Sequence, residues 1–265
     1  MNRAPNKLRE KLAKGLCVTG SGIFSWSPNV VDVAGIAGID YVRIDTEHAW
    51  RQDAALEHLI RAANLGNVVP IVRVDRDNAE LVRKALEVGA EGIIVPDVRS
   101  VEQAKAVVQA AKFPPHGTRG YSGNCLSAGW GAKAGEEWVQ WSNREPLIGI
   151  MIENVEAMPE IDEIMAVSGI DFVLFGPADY AMSLGLGAPN AQDERVQKAI
   201  VRLIAAAHQV GKYVSLVVGT DPANIKKYVE LGIDMLELGN DLGIVQAAWK
   251  RTALAVDEII AATNN

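Results

Sequence analysis

The chain has 265 residues, 49% hydrophobic and 22% charged, enough for one large core, and about 250 residues is the usual size of a (β/α)8 barrel. A net charge of −7 speaks against nucleic acid, whose phosphates want clustered Lys and Arg, and no window approaches the roughly 20 apolar residues that span a bilayer. Met1 to Lys14 lacks the apolar stretch of a secretory signal, and two cysteines, Cys17 and Cys125, suit reduced thiols, so a cytoplasmic protein is expected.

Apolar, mostly β-branched runs alternate with helical patterns. Residues 16–19 form the first expected strand. Ser27-Pro28 is an N-cap followed by proline at the first helical position, and opens a helix to about Ala37. Residues 40–44 follow as a strand, then 54–64 as a helix that Gly66 closes. After a strand at 69–73, Asp77 or Asn78 caps a helix that runs to Val88 and stops at Gly89. Residues 92–95 are the fourth strand, and Ser100-Val101-Glu102-Gln103 fits a capping box. Strands at 147–152, 171–175, 213–218 and 234–238 complete the set, with helices at 156–166, 193–210, 221–231 and 242–262.

Most of these strands lack polar–apolar alternation, as parallel strands buried on both faces do. Strand–helix alternation repeated eight times implies a parallel α/β sheet, and the count favours closure into a TIM barrel. The rival is an open doubly wound sheet with a G-x-G-x-x-G turn. Gly20-Ser21-Gly22 fails that spacing because position 25 is Ser. One segment breaks the rhythm. Residues 112–145 hold Pro114-Pro115, six glycines and Trp130, Trp138 and Trp141, which reads as a packed surface excursion, a lid or a subunit contact. No linker interrupts the chain, so one domain over 1–265 is expected.

Strand ends of a parallel barrel meet at one mouth, where active sites sit. Three runs place ionisable groups there: Ile44-Asp45-Thr46-Glu47-His48, Met151-Ile152-Glu153-Asn154 and Phe175-Gly176-Pro177-Ala178-Asp179. His48, beside carboxylates, is a candidate base or a loop histidine bonded to backbone. Arg73 closes an apolar strand. Its planar fork suits a substrate carboxylate or a developing enolate oxygen, or else a salt bridge to a core carboxylate such as Asp45 or Glu153. Glu153 and Asp179 follow neighbouring strands and suit one hard divalent cation, or cap the helices that follow them. No Cys/His set has zinc spacing. Gly176-Pro177-Ala178 forms a tight turn whose N–H groups suit a carboxylate. Glu87 reads as a solvated helix charge, and Asp97, Asn240 and Asp241 follow strands without distinguishing spacing. His58 and His208 read as structural or solvated, and His116 carries no assignment. Gly219-Thr220 and Gly239-Asn240 are poor phosphate loops, so no phosphate site is expected.

From Gly15 to about Gln246 the chain resembles the HpcH/HpaI aldolases. The likeness rests on the three runs above with Pro70-Ile71-Val72-Arg73, Gly89-Ala90-Glu91-Gly92-Ile93-Ile94-Val95-Pro96 and Phe113-Pro114-Pro115-His116-Gly117-Thr118-Arg119-Gly120. The resemblance implies a (β/α)8 barrel whose last helix is exchanged with a neighbour in a homohexamer. It implies a metal-dependent class II aldolase, a lyase that cleaves or forms a 4-hydroxy-2-oxo acid through a pyruvate enolate, with an aldehyde as partner. Glu153 and Asp179 would ligate Mg2+, Mn2+ or Co2+. Pyruvate would chelate the metal, its carboxylate on the amides of Ala178 and Asp179 in the Gly176-Pro177 turn. Arg73 would stabilise the enolate oxygen, and His48 would serve acid–base chemistry with Asp45 shaping the pocket. Glu87 stands where the family often has an aspartate assisting the histidine, and residues 121–145 depart from the common pattern. The same family holds oxaloacetate-using enzymes, citrate-forming condensers and macrophomate synthase, which are the alternative. No strand end offers a Schiff-base lysine.

Overall fold

Eight parallel strands, each hydrogen-bonded to its neighbours in chain order, close into a barrel. The structure, a computed structural model, describes residues 4–48, 53–76 and 78–263, with residues 53 and 54 as backbone alone. The strands are β1 (Val18–Ile23), β2 (Tyr41–Asp45), β3 (Val69–Arg73), β4 (Gly92–Val95), β5 (Leu147–Ile152), β6 (Phe172–Phe175), β7 (Tyr213–Val217) and β8 (Met235–Asn240). The helices are α1 (Lys7–Ala13), α2 (Pro28–Ile36), α3 (Asp53–Gly66), α4 (Ala79–Glu87), α5 (Val101–Ala111), α6 (Glu136–Arg144), α7 (Ile161–Met165), α8 (Pro177–Ser183), α9 (Glu194–Gln209), α10 (Pro222–Leu231) and α11 (Asp241–Thr263).

The expected alternation is present. The middle strands match their expected bounds, and β1 does not: it starts two residues late and runs on through Gly20-Ser21-Gly22. Glycine is used there for clearance. A Cβ at Gly20 would run into the Tyr41 ring, which fills the barrel interior. Helices α1, α6 and α8 were not anticipated. Gly176-Pro177 is the start of α8 and not an isolated turn, with proline at its first position. Asn78 caps α4, its side chain accepting from Leu81 N–H. The alternative cap, Asp77, lies outside the described residues. Ser100 caps α5, but Gln103 reaches back one residue further than a capping box requires, to the N–H of Arg99 at 2.7 Å.

Two apolar layers result. The larger lies between strands and helices, with Ile44, Val72, Ile93, Ile150 and Val173 facing outward from the sheet. The smaller fills the barrel, where Tyr41, Ile71, Ile94, Met151, Phe172 and Met235 pack onto Leu8 and Leu12. Helix α1 therefore plugs the end of the barrel where the strands begin. It is pinned by Asn6, whose side chain caps it and whose backbone N–H donates to Glu145 at 3.0 Å, and by an Arg9–Asp171 ion pair at 2.9 Å.

Residues 112–145 pack as an aromatic knot. Phe113 meets Trp138 edge-on at 5.2 Å, and the buried Arg119 guanidinium lies 4.5 Å from the Phe113 ring centre. Helix α11 behaves differently. Over 23 residues only Asp241, its first, is buried, while Leu242, Trp249, Leu254, Ile259 and Ile260 are exposed. Among the described residues, no helix is long and apolar enough to cross a membrane.

The α1 plug sets a test of the fold. Leu8→Ala would leave a cavity against the interior layer and should cost about 2–5 kcal/mol, read as a lowered denaturant midpoint. A variant as stable as its parent would show that α1 does not close the core.

Candidate active site

The mouth is built from the ends of β2, β3, β5 and β6. Asp45, the last residue of β2, is fully buried. Its Oδ1 accepts the backbone N–H groups of Glu47 at 3.1 Å and His48 at 2.8 Å, which folds the Glu47–His48 turn over the strand end. Its Oδ2 is shared by Arg73 and Arg43, the latter at 2.9 Å. Burial pushes the Asp45 carboxyl up, but the two guanidinium groups and the His48 N–H outweigh it and hold the group below its usual range. Arg73, at the end of β3, also reaches Glu47 at 3.1 Å. Of the two core partners expected for Arg73, Asp45 is therefore the one in contact.

Opposite stands Glu153, directly after β5. It accepts the backbone N–H of Asp97 at 2.8 Å. Asp97 sits beyond β4 in a left-handed conformation, φ 51°, uncommon for a non-glycine residue. Arg99 holds its carboxylate with two bonds, 2.8 and 2.7 Å, and Arg76 adds a third contact. Gly176 leaves Glu153 its room, since a Cβ there would stand 2.7 Å from Glu153 Oε2. Asp179 is the third residue of α8 and is exposed. The N–H groups of Ala178 and Asp179 lie in the first turn of that helix, where no intrahelical acceptor exists.

The Glu153 carboxyl is pushed up to about 7, first by burial and then by the charge of Asp179, with Glu47 adding to the effect; the Asp97 N–H and Arg73 oppose it. Two carboxylates brought together in a half-dry mouth are a strained arrangement that a cation relieves, and an all-oxygen donor pair suits a hard divalent ion. Among the described residues no three His, Cys, Asp or Glu groups converge as a complete cage.

His48 lies on the rim, its side chain 59% exposed and Nε2 3.8 Å from Glu47. Glu87 is not solvated as expected: its side chain is only 15% exposed and pairs with Arg83 at 3.2 Å. Among the described residues it shares no hydrogen bond or ion pair with His48. Sequence reasoning missed Arg43 and Glu237, and it noted Asp97 after a strand without giving it a role. Arg43 and Glu237 carried a signal, each being a charge inside an otherwise apolar strand.

The HpcH/HpaI aldolase/citrate lyase family matches residues 22–248. The chain belongs to this family. It is a carbon–carbon lyase, a class II aldolase, and class II aldolases generally depend on a divalent metal. It is 32% identical to the 2-keto-3-deoxy-L-rhamnonate aldolase of Klebsiella pneumoniae over 94% of this chain and 92% of that protein. Among solved structures, an HpcH/HpaI aldolase from Desulfitobacterium hafniense superposes with a TM-score of 0.88 at 31% identity, covering 96% of this chain and 98% of that one. The citrate synthase SbnG superposes with a TM-score of 0.84 at 29% identity, covering 95% and 97%.

The Glu153 environment makes a pH prediction for the metal-free aldolase. The carboxyl shifts from 4.5 to about 7, so the folded state holds the proton more tightly than the unfolded chain. The resulting stabilisation is complete below about pH 4.5 and lost as pH rises through about 7. Relative to Glu153→Gln, the parent should lose about 2.5 kcal/mol of unfolding free energy between pH 5 and 8. Parallel pH profiles for the two proteins would refute the perturbed Glu153.

Proposed function

We propose that this aldolase cleaves, or in reverse forms, a 4-hydroxy-2-oxo acid through a pyruvate enolate, with polyhydroxylated 2-oxo acids as the substrate class. The observation that carries the reading is the opposition of Arg73 to the Glu153–Asp179 pair across one mouth. Glu153 and Asp179 would hold the divalent metal. When bound, it supplies positive charge where the enolate develops. Arg73, fixed by Asp45 and Glu47, directs its fork at the enolate oxygen. The first-turn N–H groups of Ala178 and Asp179, beside Gly176 and Pro177, receive the substrate carboxylate. His48, exposed on the rim next to Glu47, takes the C4 hydroxyl proton as the C3–C4 bond breaks and the aldehyde leaves, and returns a proton to the enolate carbon to give the pyruvate methyl group. Glu87 pairs with Arg83 within the same chain.

The full-length likeness to a citrate synthase supports a second reading, in which the same enolate arises from oxaloacetate. The uncovered apolar length of α11 supports an oligomer in which this helix packs on a neighbouring copy, as the family's hexamers do.

Proton NMR of pyruvate in D2O tests the first reading. Loss of the methyl signal with enzyme and Mg2+ or Mn2+, abolished by chelator and by Glu153→Ala, is the expected result. Decarboxylation of oxaloacetate well above the free-metal rate, without methyl exchange, would move the assignment to the second reading. In Arg73→Lys a point charge replaces a fork, and kcat/KM should fall by about 2–4 kcal/mol of transition-state stabilisation. Unchanged kinetics would remove Arg73 from the mechanism. Light scattering should give a multiple of the monomer mass, and a monomer after removal of residues 242–265; a monomeric full chain would exclude the helix exchange.

A further inference from the structure

Beneath the mouth, Arg43 and Glu237 form a buried pair that the proposed chemistry does not use. Arg43 Nε donates to both oxygens of Glu237, at 2.8 and 3.0 Å, and Nη2 adds a third bond at 2.9 Å. The remaining arm, Nη1, donates to Asp45 at 2.9 Å. The two residues stand on β2 and β8, which are not neighbours: β1 lies between them. In the register, Gly22 pairs with Arg43 and Gly20 with Glu237. The strand between the partners therefore carries no side chain at either level. A Cβ at Gly22 would already stand 3.4 Å from Arg43 Nη2.

Stability does not explain this arrangement. Taking two charges out of water costs several kcal/mol, and replacing such a pair by apolar side chains of similar volume is often neutral or stabilising. The interior layer directly below is apolar, as barrel interiors usually are. What the pair does is tie Asp45 from behind. Asp45 Oδ2 is claimed by Arg43 and Arg73 together, so Arg43 takes part of the negative charge that would otherwise quench Arg73. Glu237 in turn holds Arg43 in place and balances its charge. Signs alternate along the row Glu237, Arg43, Asp45, Arg73, Glu47, from the barrel interior to the rim.

We propose that Arg43 and Glu237 are positioning residues: reaching across β1, they set Asp45, and through it the aim of Arg73 and the fold of the Glu47–His48 turn. This rests on the proposed role of Arg73 at the enolate oxygen.

The test is the double variant Arg43→Met with Glu237→Met, studied as metal-loaded enzyme. It removes the Arg43–Asp45 bond along with the pair, so melting is recorded beside activity and kcat is taken per folded enzyme. Its kcat for pyruvate methyl exchange should fall about tenfold or more while KM for pyruvate changes little, the pattern of an interaction realised in the transition state. Oxalate, a planar dianion shaped like the enolate, should bind more weakly by a comparable factor. A merely structural pair would instead change melting and leave kcat per folded enzyme at the parent value, and that outcome overturns the proposal. Should the double variant not fold, Glu237→Gln, which leaves Arg43 free to draw on Asp45, carries the same readouts. If the parent shows no methyl exchange, the aldolase reading fails by itself, and a crystal structure of the variant decides the pair. A displaced Arg73 and Glu47–His48 turn support it; both in their parent positions refute it.

Discussion

One buried carboxylate organises the mouth of this barrel. Asp45 accepts two backbone N–H groups and two guanidinium groups, so no lone pair is idle and no rotation is free. A carboxylate buried this deeply persists only if its charge is met on every side. Each group that meets it is thereby fixed in turn. The loop after β2 must fold back to supply its amides, β3 must end in arginine, and β2 must carry a second arginine two residues earlier. The Glu153 side of the mouth follows a different rule. There the protein gathers negative charge without cancelling it, and the backbone of Asp97 is twisted into a left-handed conformation to offer one N–H. A saturated carboxylate and an unsaturated one face each other, which divides the mouth into a part that holds geometry and a part left with surplus negative charge.

Much of this was legible in the sequence because barrel chemistry is local at strand ends. Strands β3, β4 and β5 are short apolar runs bounded by charges or glycine, and their limits could be read directly. Arg73, Glu153 and Asp179 stood out because each follows such a run. What was not legible depended on partners remote in sequence. Glu237 lies 194 residues from Arg43, and nothing near either position names the other. Strand β1 was misjudged for a related reason: Gly20 makes room for Tyr41 and Gly22 for Phe24, Asn240 and Arg43, and that need exists only once the barrel has closed. Helix α1 is short and charged, and its two leucines acquire meaning only as a plug. Asp97 was passed over because its contribution is a backbone amide, which no side-chain pattern announces.

The same distinction runs through the helical layer. Most helices bury a face against the sheet and need nothing further. Helix α11 buries its first residue and little else, although its sequence is as apolar as that of a core helix. Asp241 explains the one firm point. It accepts from the N–H groups of Phe24, Ser25 and Leu242 and from the Ser25 hydroxyl, clasping the helix start to the loop after β1. That loop carries Trp26, whose indole N–H donates to the Asp45 carbonyl at 2.9 Å. The departure point of α11 and the organising carboxylate are thus two steps apart in one hydrogen-bonded chain.

The bare strand between Arg43 and Glu237 bears on ancestry. A side chain at Gly20 would meet the Tyr41 ring, and one at Gly22 would crowd Phe24, Asn240 and Arg43. An arginine entering β2 before β1 had lost its side chains would have had no corridor to its acid, and an acid entering β8 alone would have been buried unpaired. With Gly20 faced by the Tyr41 ring and Gly22 by Phe24, Asn240 and Arg43, a side chain restored to β1 would collide with neighbours already in place, and loss of either charge would strand the other.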